Sequence, residues 1–180
     1  MVIFRFGPAK PSYEKSGDAA IGSYAGVGSL GAKKKKKAEY VVETAPDVES
    51  KVNEIIDVLS YGHMNESRII CMRSRCAIAK AYARIWNLPY IWQKALGVGT
   101  FYVIEVLSQH YDHLAEEEKE KVLIHELLHI PKTFSGALRP HGGRVKIDQK
   151  TVGRLHRLYL ERKREKYGRL QRTSTPEDVF

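Results

Sequence analysis

Residues 121–131 form the most apolar part of a predicted helix and read Lys-Val-Leu-Ile-His-Glu-Leu-Leu-His-Ile-Pro. Apolar residues surround the two histidines and the glutamate, and a helix that is apolar on nearly all sides is buried in a core. Pro131 ends the pattern, because the residue before a proline is pushed out of the α region. We therefore predict a buried helix from about Leu114 to Ile130.

Within that helix, residues 125–129 form the pattern His-Glu-x-x-His. Residues four apart lie on the same face of a helix, so His125 and His129 can bind one metal ion, for which zinc is the usual choice. Glu126 reaches the same side and can accept a proton from a water molecule that the metal activates. Two imidazoles and a carboxylate are costly inside a core unless they are paired or bound to metal. The pattern predicts one zinc ion per chain.

A catalytic zinc site has three protein ligands and leaves the fourth position for water. The best third candidate is His141, which follows His129 by twelve residues in the loop Arg-Pro-His-Gly-Gly. The two glycines after it would let backbone pack close to the site. Glu161 and His156, on the next predicted helix, remain alternatives, although His156 is more typical of a hydrogen-bonded core residue. Two further histidines upstream are interpreted as surface residues: His110 and His113.

Apolar periodicity and turn residues predict the other elements. They are a helix that starts at Thr44-Ala-Pro-Asp47, with Thr44 as its cap, and ends near Tyr61; a strand over 68–73; an alanine-rich helix over 76–86; a strand over 100–107; and a last helix capped by Asp148. Helices and strands are thus mixed along the chain.

The charge is unevenly distributed along the chain. The net charge is +9, from 30 basic and 21 acidic residues, and the excess of basic residues lies in 1–38 and 149–180. We predict a flexible basic arm over 1–38 that ends in Lys33–Lys37, a folded domain over 39–168, and a flexible tail over 169–180. The arm and the basic last helix suit non-specific contact with nucleic acid, because no base-reading motif accompanies them.

Two absences bear on location and redox chemistry. The sequence has no run of about eighteen apolar residues, as a membrane span requires, and its start lacks the apolar stretch of a signal peptide. We therefore expect a cytoplasmic protein without a membrane partner. Cys71 and Cys76 are too few for a zinc ribbon or a disulfide scaffold and are interpreted as free thiols.

The block HELLHIPKTFSGALRPHGGRV, residues 125–145, resembles the signature of a zinc metallopeptidase family of archaea and phages. The resemblance spans roughly Tyr40 to Tyr159, and the layout is more distantly similar to SprT-like proteases. It implies a zincin-like α+β fold, in which a small mixed or antiparallel sheet packs on helices and the motif helix lies in the core. It also implies a set of site residues, namely His125, His129 and His141 as zinc ligands and Glu126 as the base.

The sequence thus favours a zinc-dependent metallopeptidase that acts on protein or peptide substrates. Two alternatives stay open. A metal-dependent nuclease would suit the basic ends of the chain. A nucleic-acid-associated zinc protein without enzymatic activity would need a fourth protein ligand to close the metal site.

Overall fold

The computed structural model describes residues 39–142 and 146–172. The predicted arm with Lys33–Lys37, and residues 173–180 of the predicted tail, lie outside the described residues. Within them, four strands form one sheet: β1 (Val41–Thr44), β2 (Ile69–Arg75), β3 (Ala83–Asn87) and β4 (Tyr102–Leu107). Five helices accompany it: α1 (Pro46–Val58), α2 (Tyr90–Leu96), α3 (Ser108–Tyr111), α4 (Glu116–Leu128) and α5 (Gln149–Arg172).

The sheet is mixed, with the strand order β1-β2-β4-β3. The central pair β2 and β4 is parallel, whereas β1 and β3 run antiparallel to their neighbours and form the two edges. The predicted α+β class and the small mixed sheet are therefore confirmed.

The edge strand β3 has one side free of sheet pairing. Two hydrogen bonds flank its ladder with β4: Leu107 N–H donates to the Tyr82 carbonyl at 2.9 Å, and Leu88 N–H donates to the Phe101 carbonyl at 3.0 Å. Hydrogen-bonded positions alternate along an antiparallel pair. The backbone N–H and C=O groups of Ala83, Ile85 and Asn87 consequently point away from β4.

The core lies between the sheet and three helices that contact one another, α1, α4 and α5. Helix α1 packs on β2, and α4 packs beside β3. Every residue from Val122 to Ile130 is buried, which confirms the prediction of a motif helix inside the core. The largest fully buried side chains come from several elements, among them Ile55, Tyr102, Ile104, Leu123, Leu127 and Tyr159.

The predicted helix over 76–86 is wrong. Residues 83–87 form β3, and Cys76 has a φ of 60°, in the left-handed region that interrupts a helix. Alanine favours a helix locally, but this preference is weak and pairing along β4 outweighs it. Thr44 is not a cap either, because it ends β1, and α1 starts after Ala45 without a side-chain capping bond.

Other boundaries follow the sequence more closely. Asp148 caps α5, since its Oδ1 accepts a hydrogen bond from Thr151 N–H at 2.8 Å. That helix continues to Arg172, past the predicted domain boundary at 168. Cys71 is buried in β2, Cys76 is exposed after it, and both thiols are free. Among the described residues, no helix is both long and apolar enough to cross a membrane.

Candidate metal centre

Helix α4 places the first two histidines of the motif one turn apart, at its buried C-terminal end. His125 lies in the last turn, and His129 is the residue that caps the helix. Their Nε2 atoms are 3.3 Å apart. The local helix geometry alone accounts for this convergence, because the side chains of residues four apart lie one above the other.

The loop that follows α4 brings in His141. Two hydrogen bonds tie this loop to the helix end: Arg139 N–H donates to the His129 carbonyl at 2.8 Å, and His129 Nδ1 lies 2.6 Å from the Arg139 carbonyl oxygen. The chain therefore returns to the motif, and His141 Nε2 comes within 3.1 Å of His125 Nε2.

The sheet side of the same loop is held by Tyr102 and Asn87. Gly136 N–H donates to the Tyr102 hydroxyl at 2.9 Å, and that hydroxyl donates to the Ala137 carbonyl at 3.1 Å. Asn87 Nδ2 donates to the Gly136 carbonyl at 2.6 Å. The loop is thus bonded both to the end of α4 and to the sheet. By contrast, a side chain at Gly142 would meet open space, so close packing is not the role of that glycine.

The spacing of the three imidazoles fits a tetrahedral metal ion. Their ligand atoms lie within 4.8 Å of one another. Nitrogen atoms bound to zinc at 2.0–2.1 Å in a tetrahedral arrangement are about 3.3 Å apart, close to the 3.1 and 3.3 Å measured from His125. The structure therefore brings together the three histidines that the sequence predicts. Their binding of zinc stays a prediction.

The protonation of the site suits metal binding. Because a carbonyl oxygen only accepts, the short contact with Arg139 identifies Nδ1 of His129 as the donor, which leaves the lone pair on Nε2. Burial, with smaller contributions from His129 and His141, lowers the pKa of His125 to about 3. Burial also lowers the pKa of His129. His125 and His129 are therefore neutral at pH 7, which is the state that coordinates metal.

Glu126 is buried on the same helix and faces β3. Its carboxylate accepts a hydrogen bond from Ile85 N–H, one of the groups on the free side of this strand. Burial raises the pKa of Glu126 to about 8, and the hydrogen bond from Ile85 opposes that rise. A cation bound by the histidines would lower this pKa, because it favours the charged form.

The alternative ligands lie elsewhere. His156 is buried and its Nε2 is 2.9 Å from Glu120 Oε2, which makes it the hydrogen-bonded core residue that the sequence favoured. Glu161 is exposed on α5. His113 is exposed as predicted, but His110 is only half-exposed and contacts the ring of Tyr82 edge-on. Within the described ranges, the group of potential ligands has three members, with His125 and His129 buried and His141 exposed.

Three features of the site escaped sequence reasoning. They are the Ile85 N–H that binds Glu126, the Arg139 carbonyl that orients His129, and the bonds from Asn87 and Tyr102 to the loop. Two are backbone groups, which carry no residue-type signal. The third involves Tyr102 on β4 and Asn87 on β3, and the helix-like composition of β3 concealed the part played by Asn87.

A family model described as putative phage metallopeptidase matches residues 40–172. The chain belongs to this family. The resemblance to a metallopeptidase family is thereby confirmed, whereas the similarity to SprT-like proteases stays a prediction. No curated protein and no solved structure gives a significant match to the chain.

Membership in the phage metallopeptidase family points to a hydrolase that uses a metal ion, and the three-histidine group is a place where this chain can hold one.

Proposed function

We propose that the protein is a zinc-dependent peptidase in which His125, His129 and His141 hold the metal and Glu126 is the general base. One observation carries this proposal: three imidazoles converge, with Nε2 of His125 at 3.1 and 3.3 Å from those of His141 and His129, beside a buried carboxylate that faces the edge strand β3. Zinc suits the three nitrogen ligands better than magnesium or calcium, which prefer oxygen ligands.

Zinc at this position would supply a Lewis acid that polarises a peptide carbonyl and acidifies a water molecule. Glu126 takes a proton from the water molecule as the oxygen of that water bonds to the carbonyl carbon. The same carboxyl group then passes this proton to the departing nitrogen as the C–N bond breaks. Ile85 N–H holds the carboxylate in place at the edge of the sheet.

The substrate side of the reaction involves β3. Ala83, Ile85 and Asn87 present backbone groups away from β4, and an extended chain can pair with such groups by strand addition. The Ile85 N–H already binds Glu126. The bond to be cleaved therefore lies level with Ile85, between the positions of Ala83 and Asn87.

The donor set supports an enzyme over a structural zinc protein. A structural zinc site is closed by four protein ligands. Within the described residues, the histidine group has no fourth His, Cys, Asp or Glu, and its exposed member His141 leaves it open to solvent. A nuclease would use the same open metal position, so an experiment must distinguish nuclease activity from peptidase activity.

Replacing Glu126 with Gln tests the proposal. Glu126→Gln removes the base but none of the imidazoles, so the zinc-loaded variant should keep its metal and lose hydrolysis of unfolded casein by at least about 100-fold. The matched variant His129→Ala should lose stoichiometric zinc and hydrolysis together. Zinc is measured by mass spectrometry and hydrolysis by the release of new amines.

Two outcomes would contradict the proposal. Undiminished casein hydrolysis by Glu126→Gln would show that another group is the base. Hydrolysis of RNA or DNA that depends on Glu126, without any casein hydrolysis, would favour the nuclease.

A further inference from the structure

Helix α2 carries the densest group of exposed apolar side chains among the described residues. Tyr90, Ile91, Trp92 and Leu96 are each between 56% and 72% exposed, and Val98 follows at 39%. We call these five residues the α2 patch. Other exposed apolar side chains, such as Ile78 and Tyr167, are not gathered on one short helix.

The α2 patch is not what holds α2 in place. A helix of seven residues without a buried side chain is marginal in water. Local features stabilise it instead: Gln93 Nε2 donates to the Leu88 carbonyl at 2.8 Å, and Gly97, with a φ of 65°, ends the helix. Gly136 of the histidine loop lies so close to Gln93 that a Cβ there would be 2.9 Å from Nε2. The apolar side chains thus remain available to a ligand.

The α2 patch follows the edge strand β3 directly along the chain. Strand β3 ends at Asn87, and α2 begins at Tyr90. A polypeptide added to β3, with its cleaved bond level with Ile85, advances about 3.3 Å per residue. It therefore reaches the start of α2 within a few residues of that bond.

The direction of the substrate decides which of its residues meet the α2 patch. Antiparallel pairing is the more stable arrangement of two strands. A substrate antiparallel to β3 has its N-terminal part beside Asn87 and α2. Its C-terminal part lies toward Ala83 and Ile78.

Charge along this edge also restricts the substrate. Between residues 76 and 104 the sequence contains no Asp or Glu, and its charged residues are Lys80, Arg84 and Lys94. Arg84 is paired with Glu105 at 2.9 Å, and Lys94 lies over the Tyr90 ring at 5.2 Å. A basic side chain of the substrate would meet positive charge here and no acid contributed by this segment.

We propose that the α2 patch binds apolar side chains on the N-terminal side of the cleaved bond, and so selects unfolded, apolar polypeptide segments without Lys or Arg at those positions. This proposal rests on the peptidase function proposed above. It assigns α2 the role of a specificity surface, separate from the metal centre.

Peptide binding by zinc-loaded Glu126→Gln tests the proposal without turnover. The probes are three tryptophan-free decapeptides: one with Leu and Phe in its N-terminal half, one with the same residues in its C-terminal half, and one with Lys in place of the N-terminal apolar residues. The chain has two tryptophans, Trp86 on β3 and Trp92 on α2, so tryptophan emission follows binding directly.

The matched variants are Ile91→Ser with Leu96→Ser on α2, and Ile78→Ser before β3, each combined with Glu126→Gln. All three positions are exposed, so folding should be unaffected. Removing the two apolar contacts should weaken binding of the first peptide by about ten-fold, whereas Ile78→Ser should leave it unchanged. The Lys peptide should bind weakly throughout. Wild-type enzyme should cleave the first peptide after its apolar block, as mapped by mass spectrometry.

The possible failures are distinguishable. Two results would overturn this proposal and leave the peptidase function standing. One is casein hydrolysis by the wild type without any preference for apolar residues. The other is equal affinity for the first peptide in the α2 double variant and in Ile78→Ser. Absence of all hydrolysis, despite selective binding by the α2 patch, would overturn the peptidase function and with it the role in substrate selection. Sedimentation provides a further check. If Ile91→Ser with Leu96→Ser abolishes a dimer and leaves peptide binding unchanged, the α2 patch binds a second copy of the chain and the proposal is wrong.

Discussion

At the scale of single residues, Glu120 on α4 is a buried charge outside the metal centre with partners on two other helices. Its side chain is 9% exposed, and its oxygens contact His156 Nε2 at 2.9 Å and the Tyr159 hydroxyl at 3.3 Å. Lys51 and Lys163 approach it at 3.5 and 3.8 Å. The carboxylate therefore links α4, the helix that bears the motif, to α1 and α5.

We predict that Glu120→Ala lowers the free energy of unfolding by about 3 kcal/mol, because removing one partner of a buried pair leaves the others unpaired. Zinc stoichiometry should stay at one per chain. The control is Glu117→Ala on the same helix, whose carboxylate pairs with Lys121 in solvent and should matter little. Urea unfolding of the zinc-loaded proteins measures both. Equal stability of the two variants would show that the Glu120 network does not hold the helices together.

At the scale of elements, β3 connects the fold to the chemistry. Successive backbone N–H groups on this strand have different roles. The Ile85 N–H points away from β4 and binds Glu126, whereas Arg84 and Trp86 occupy the hydrogen-bonded positions opposite β4. Proline is tolerated on an edge strand only where the missing N–H faces outward.

We predict that Ile85→Pro keeps the fold and the zinc but lowers peptide hydrolysis by about ten-fold or more, because the base loses its positioning donor. Ile85→Ala, which keeps the N–H and loses the side chain, is the matched control and should retain most activity. Trp86→Pro breaks the ladder with β4 and should lower the melting temperature. These effects are separated by circular dichroism, zinc content and hydrolysis rates. Full activity of Ile85→Pro would remove this donor from the mechanism.

The same strand shows how far sequence reasoning reaches. His125, Glu126 and His129 are predictable because their geometry is local to one helix, and α1 and α5 follow from apolar spacing. His141 is predictable as a candidate, since a loop after Pro131 has room to turn back. Strand β3 is not, because its pairing depends on β4, about twenty residues away in sequence, and outweighs the local preference of alanine.

At the scale of the whole molecule, helix α5 presents basic side chains to solvent. Helix α5 exposes Lys150, Arg154, Arg157 and Arg164 at helical spacing, while His156 and Tyr159 on the same helix are buried. The sequence predicts that this stripe and Lys33–Lys37 contact nucleic acid, and this contact stays a prediction. It would be non-specific and sensitive to salt.

We predict that the full-length protein binds duplex DNA at low salt and releases it steeply as salt rises, since each phosphate contact frees counterions. Replacing Lys33–Lys37 with Gln, or the three arginines of the α5 stripe with Gln, should each weaken binding and reduce the salt slope. Fluorescence anisotropy at several salt concentrations measures both. No binding by the wild type at low salt would contradict the prediction.

We propose above all that His125, His129 and His141 hold a zinc ion whose remaining position is open to water. X-ray absorption of the zinc-loaded protein, combined with zinc stoichiometry, counts the ligands directly. We predict one zinc per chain, with three imidazole nitrogens and one oxygen at about 2.0 Å, and loss of the stoichiometric ion in His141→Ala. A fourth nitrogen or sulfur ligand from the protein, or full zinc affinity in His141→Ala, would contradict it.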